Sequence, residues 1–154
     1  MNNTEIERKF LVLTDSFKTQ ATDVYEIQQG YLCKDPDKTI RIRIRDKRAF
    51  ITIKSSSLRH GLAKFEWERE IDINDARELM NICLPGVISK TRYIIPTESC
   101  GGQPRKWEVD VFHGRLDGRV LAEIELQDEN EQFTRPDWLG EEVTGFPQYY
   151  NANM

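Results

Sequence analysis

Along much of the chain apolar and charged side chains alternate one by one, the period of a strand whose two faces meet different surroundings. In residues 4–13, Glu5, Glu7 and Lys9 share one face, and Ile6, Arg8 and Phe10 share the other. Residues 39–45 set Arg41, Arg43 and Arg45 against Ile40, Ile42 and Ile44. After a turn at 46–48 the alternation resumes over 49–54 with Thr52 and Lys54 on one face, which is a hairpin pattern. Residues 65–73 line up Glu66, Glu68 and Glu70, and further strands are predicted at 24–32, 87–95, 106–112 and 119–126. A helical period stands out at 75–83, where Ala76, Leu79, Met80 and Cys83 form an apolar stripe. Asn74 is its predicted N-cap, and Pro85-Gly86 stops it. Residues 14–23 have room for a helical turn, 136–139 read as the start of another, and 55–63 read as a polar loop. The elements predict a mainly β, α+β fold.

The chain has 154 residues, 38% hydrophobic and 31% charged, which fits one folded domain spanning residues 1–154. A net charge of -4 argues against a general nucleic-acid surface, which needs a basic excess, so any anion site must be local. No apolar run reaches the length of a membrane span, and the start lacks a basic region followed by an apolar one. A cytoplasmic protein with no membrane contact is expected. Cys33, Cys83 and Cys100 are odd in number and widely spaced, which fits reduced thiols better than a disulfide framework or a zinc site. His60 and His113 are too few and too scattered for an imidazole metal cluster.

The signs of charge are segregated between strands. Arg41, Arg43, Arg45, Lys54, Lys90 and Arg92 fall on some, while Glu66, Glu68, Glu70, Glu108, Asp110, Glu123 and Glu125 fall on others. A solvated sheet face ordinarily mixes signs, because like charges on one face repel. Cations converging from several strands suit phosphate oxygens, and facing carboxylates are hard ligands for Mg²⁺ or Mn²⁺. Charged faces turned inward would require a barrel wide enough to keep a wet lumen, with the helix at 75–83 and the C-terminal aromatic segment covering the apolar faces. An open sheet with one solvated face fits the same periodicity.

The motifs carry a resemblance. Glu5-Ile6-Glu7-Arg8-Lys9 is similar to the ExExK signature of the CYTH domain proteins, or triphosphate tunnel metalloenzymes. In the family's order follow Arg41-Ile42-Arg43 (RxR), Thr52-Ile53-Lys54 (TxK), Glu66-Trp67-Glu68 (ExE), Lys90-Thr91-Arg92-Tyr93 (KxRY) and Ala122-Glu123-Ile124-Glu125 (AExE). One ExExK arises easily by chance in so charged a chain, but five further motifs in order do not. The chain resembles a short bacterial-type member over nearly its whole length. Two departures stand out: Phe146 and Gln148 lie where many such members carry an acid and a base, and Lys64 lies where an Arg is frequent.

The resemblance implies a closed, eight-stranded antiparallel barrel, the triphosphate tunnel, with a few covering helices, and often a homodimer. It implies metal-dependent hydrolysis of a triphosphate, with inorganic tripolyphosphate the expected substrate. Lys9, Arg41, Arg43, Lys54, Lys90 and Arg92 would bind the phosphates, and Glu5, Glu7, Glu123 and Glu125 would hold Mg²⁺ or Mn²⁺. Glu7, Lys54 and Glu68 are the candidates for catalytic roles. An adenylate cyclase, which the family also contains, would use the same grip with a ribose hydroxyl as nucleophile. A module that binds polyphosphate or a nucleotide without turnover is the reading from outside enzymology, and thiamine triphosphate is a further candidate substrate.

Overall fold

The computed structural model describes residues 6–58 and 63–154. Nine strands and one α-helix make up the regular structure among the described residues: β1 (Ile6–Val12), β2 (Asp23–Asp35), β3 (Lys38–Arg45), β4 (Arg48–Leu58), β5 (Ala63–Ile71), α1 (Ile73–Asn81), β6 (Ile88–Glu98), β7 (Pro104–Phe112), β8 (Val120–Leu126) and β9 (Leu139–Glu142). The mainly β, antiparallel class is the one expected. A short ninth strand joins the eight expected, because 137–138 form a turn that leads into β9 instead of starting a helix.

The chain is organised as two compact units, Met1–Tyr25 with Lys90–Tyr149, and Glu26–Ser89 with Tyr150–Met154. In the first, the strand order is β6-β7-β8-β1-β9. Its apolar face carries Phe10, Trp107, Val109, Ala122 and Ile124, all essentially buried, under a lid made by Phe17 and Trp138. Phe17 belongs to the 3-10 turn Ser16–Gln20, which answers to the helical turn expected there. Trp107 meets Phe10, Phe133 and Trp138 edge to face at 5.5–5.7 Å, the geometry that aromatic quadrupoles favour. Arg8 is the one cation on this face of β1. Its guanidinium binds Glu142 in β9 through two bonds of 2.8 and 2.6 Å and lies over Phe10 and Phe133, so its charge is matched and its plane is stacked.

In the second unit the order is β5-β4-β3-β2. Arg45 lies opposite Arg48, which leaves Asp46 and Lys47 as a two-residue turn. Asp46 sits at φ 53°, a left-handed conformation that Asp tolerates better than most residues. The apolar face, with Ile42 and Ala49, is covered by Ala76 and Met80 of α1. The cap of this helix differs from the expectation. Asp72, on extended backbone, accepts from the N–H groups of Asn74 and Asp75, while the Asn74 side chain accepts from Arg77. The helix therefore runs two residues earlier at each end than the hydrophobic stripe suggests. The polar loop at 55–63 is also shorter than expected, since β4 continues to Leu58.

Gly30 lets the segment that follows α1 approach the sheet. A Cβ there would come within 2.9 Å of Cys83 Sγ and 3.1 Å of Val87 Cγ2, closer than side chains pack. Gly30→Ala is expected to destabilise by about 1–3 kcal/mol through this overpacking, read as a lower urea midpoint at unchanged slope.

Candidate active site

The strand registers put the charged motif residues of each unit, with Thr52, on the face opposite its apolar core. In the second unit Arg41 stands opposite Thr52, and Thr52 stands opposite Glu68. Thr52 is buried; it accepts from Arg41 Nη2 at 3.3 Å and donates to Glu68 Oε2 at 2.6 Å. The threonine of the TxK pattern thus ties the RxR and ExE strands together, a role for which its hydroxyl, both donor and acceptor, is suited. Arg43 Nε donates to Gln29 Oε1 at 2.9 Å. Lys54 is half exposed and lies 3.9 Å from Glu66, so its ammonium is well solvated. Arg45 and Arg48 both lie over the Phe50 ring, beside a cavity of about 240 Å³ that Arg43 and Glu68 also line.

In the first unit Glu7 lies opposite Glu125, Lys9 opposite Glu123, Glu123 opposite Glu108, and Arg92 opposite Asp110. Lys90 is fully buried, with Nζ donating to Asp110 Oδ2 at 2.8 Å. Arg92 forks onto both Asp110 oxygens at 2.8 and 2.9 Å and reaches Glu108 at 2.7 Å. Burial alone would raise the pKa of Asp110, but the two cations outweigh it and hold the carboxyl well below the usual range. Burial would likewise lower that of Arg92, and Asp110 and Glu108 hold it up.

Glu123 behaves in the opposite way. Burial, then a hydrogen bond and charge repulsion from Glu7, push its carboxyl up to about 7, with Lys9 and Arg92 pulling weakly the other way. Two carboxyl groups therefore meet where the ExExK and AExE strands pair. Among the described residues no group of three His, Cys, Asp or Glu side chains is drawn together as a metal cluster. Glu5, the fourth candidate ligand, lies outside the described residues, and the Lys64 side chain is likewise outside them.

Several site residues were not singled out from the sequence. Asp110 and Glu108 belonged to the acidic strands, but their pairing with Lys90 and Arg92 needed the β6–β7 register. The Tyr149 carbonyl accepts from Lys9 Nζ at 2.9 Å, which no side-chain pattern could announce. Gln148 likewise acts through its carbonyl, which accepts from Arg119 at 3.3 Å, while Phe146 is half exposed against Tyr149.

Glu142 gives this unit an acid-sensitive tie. Its hydrogen bonds from Arg8, assisted by Thr144, hold its pKa down to about 2. A depressed carboxyl contributes stability that is present above its unfolded value near 4.5 and is lost as pH falls toward about 2. Glu142→Gln is therefore expected to lower the melting temperature at pH 7 and to lessen its further fall between pH 4.5 and pH 2. An unchanged acid limb in the variant would remove Glu142 from this role.

The model of the CYTH domain family matches residues 3–150 of the chain. An inorganic triphosphatase of Acetivibrio thermocellus is 42% identical over 151 residues, covering 97% of this chain and 92% of that protein. An inorganic triphosphatase of Nitrosomonas europaea is 36% identical over 156 residues, covering 98% and 96%. Among solved structures, the crystal structure of an inorganic triphosphatase superposes with a TM-score of 0.69 at 32% identity, covering 97% of this chain and 93% of that one.

Proposed function

The chain belongs to the CYTH domain family, and from that premise we propose that it is a metal-dependent triphosphatase that hydrolyses inorganic tripolyphosphate. The observation that carries this reading is the 42% identity over 97% of the chain to a protein named for that activity. The site supports it, because the charged residues of the described motifs fall on the face of each unit opposite its apolar core.

In this reading Arg41, Arg43, Lys54, Lys9, Lys90 and Arg92 are the residues that bind phosphate oxygens. Forked guanidiniums fix orientation, while the lysines add charge. Phosphoryl transfer needs little from the protein beyond such positioning and charge neutralisation. In the same reading Glu68, which receives the Thr52 hydroxyl hydrogen bond, orients water, and Lys54 assists the leaving phosphate. Buried cations with fixed partners, as at Lys90 and Arg92, need no reorganisation when substrate arrives.

The donor set fits a hard divalent cation. Burial, and then the neighbouring Glu7, raise the Glu123 carboxyl to about 7, and an added cation would offset that penalty on its charge. Glu7, Glu123 and Glu125, with Glu5, are the residues that would hold Mg²⁺ or Mn²⁺. An ion held there would supply charge neutralisation and Lewis acidity. No helix among the described residues is long and apolar enough to cross a membrane. A cytoplasmic location and a homodimer belong to this proposal as well.

Phosphate release from tripolyphosphate, ATP, thiamine triphosphate and pyrophosphate, with Mg²⁺ or Mn²⁺ and with EDTA, tests the reading. Release that is fastest from tripolyphosphate, slow from pyrophosphate and abolished by EDTA is expected, since two phosphates cannot engage every cation. Cyclic AMP as the main product from ATP, or tight binding of the whole panel without turnover, would overturn it.

A further inference from the structure

Among the described residues, two side-chain atoms are buried without a hydrogen-bond partner: Gln29 Nε2 and Arg41 Nε. Both are N–H donors, and the registers put both on the charged face of the second unit, Gln29 opposite Arg43 and Arg41 two residues away on β3. Native interiors pair nearly all such groups, so two orphan donors on one face point to an acceptor that arrives from outside.

The Gln29 side chain can face only one way. A guanidinium donates and never accepts, so the amide oxygen must be the atom bonded to Arg43 Nε, as it is at 2.9 Å. The Nε2 donor is then committed to another direction, and Gln29 is only 1% exposed.

The choice of a neutral amide is informative. In the first unit, Arg92 is supported across the strands by Asp110, which cancels its charge as it orients it. At the corresponding place beside Arg43, a glutamate of the same shape would make a stronger pair and leave no orphan. It would also repel an anion. Glutamine orients the guanidinium while leaving its charge intact and adds a donor.

We propose that Gln29 is a substrate-binding residue: its Oε1 fixes Arg43, and its Nε2 donates to an oxygen of the phosphoryl group that Arg41 and Arg43 hold. The proposal rests on the triphosphatase reading for the identity of the anion, and its second arm stands apart from turnover.

The test compares the full-length parent with Gln29→Glu and Gln29→Met. Gln29→Glu gains an ion pair to Arg43, so its metal-free melting temperature is expected to equal or exceed the parent's. Its KM for tripolyphosphate should nevertheless rise about tenfold to a hundredfold, the factor for a lost hydrogen bond to a charged group, while kcat changes little. Gln29→Met should raise KM as well, since it lacks the donor. A purely structural role would tie the loss of affinity to a loss of stability, and a parental KM in Gln29→Glu overturns the proposal.

In the parent, the Gln29 side-chain amide proton, assigned by its absence in the variants, is expected to move downfield when tripolyphosphate binds in EDTA. Binding confirmed by calorimetry with that resonance unmoved also overturns it. A moved resonance in a protein that releases no phosphate keeps Gln29 and removes the hydrolase. Normal turnover with unchanged KM in Gln29→Glu does the reverse.

Discussion

Asp110→Asn is expected to cost about 3–5 kcal/mol of stability, the range for removing one partner of a buried ion pair. Lys90 is fully buried and Asp110 nearly so, at 0% and 8% exposed, and one carboxylate serves both Lys90 and Arg92. Asparagine keeps the shape but leaves the ammonium without its counter-charge. At this chain length the loss corresponds to a fall of about 6–20 °C in melting temperature. The pH dependence follows from the sign of the shift. Asp110 is held below its ordinary pKa, so its contribution is complete above the usual carboxylate range and fades only as strong acid protonates the folded state. The difference between parent and variant should therefore be flat from pH 5 to pH 8.

A companion double variant, Lys90→Met with Asp110→Leu, separates the structural cost from the functional one. Replacing both members of a buried pair by apolar residues of similar size is often neutral for stability. Stability should thus recover part of the way toward the parent, since Arg92 keeps Glu108 but loses Asp110, while tripolyphosphate turnover stays low. Recovery of both would mean that Lys90 serves the fold alone. A fall of less than about 1 kcal/mol in Asp110→Asn would mean that the pair is solvated.

Much of this architecture is legible in the chain because strand periodicity is strict. Wherever Arg-Ile-Arg or Glu-Val-Asp alternates, the face of every residue is determined once one of them is known, as the registers of β3 with β4 and of β6 with β7 bear out. The helix was legible as a stripe, but its cap was not. Asp72 and Asn74 are both good caps, and the choice between them depends on where β5 releases the chain. β9 was hidden because its four residues, Leu139–Glu142, alternate too briefly, and it is held by tertiary contacts such as the fork of Arg8 on Glu142. The site was legible in the charges and illegible in the neutral groups. Arg43 and Lys90 announce themselves, whereas Gln29 and the Tyr149 carbonyl carry no sign that a pattern of charge could reveal.

Glu7→Gln is expected to reduce metal-dependent tripolyphosphate hydrolysis by orders of magnitude while leaving the metal-free protein as stable as the parent or slightly more so. Glu7 shares a face with Lys9, lies opposite Glu125 and contacts Glu123. Gln preserves volume and hydrogen bonding but removes an anionic oxygen that a hard cation requires. In EDTA the same charge is a liability. Glu123 is raised by burial and by Glu7, so the folded protein holds a proton that the unfolded chain would release, and the parent loses stability as pH rises from the ordinary carboxylate range to about 7. Removing the Glu7 charge relieves part of that penalty, most visibly at pH 8, where a melting temperature at or above the parent's is expected. Calorimetry with Mn²⁺ should show weakened binding in the same variant. Two outcomes would sink the assignment of β1 to the metal: parental hydrolysis in Glu7→Gln, or a clear drop in its metal-free melting temperature, which would make Glu7 a structural partner instead of an ion ligand.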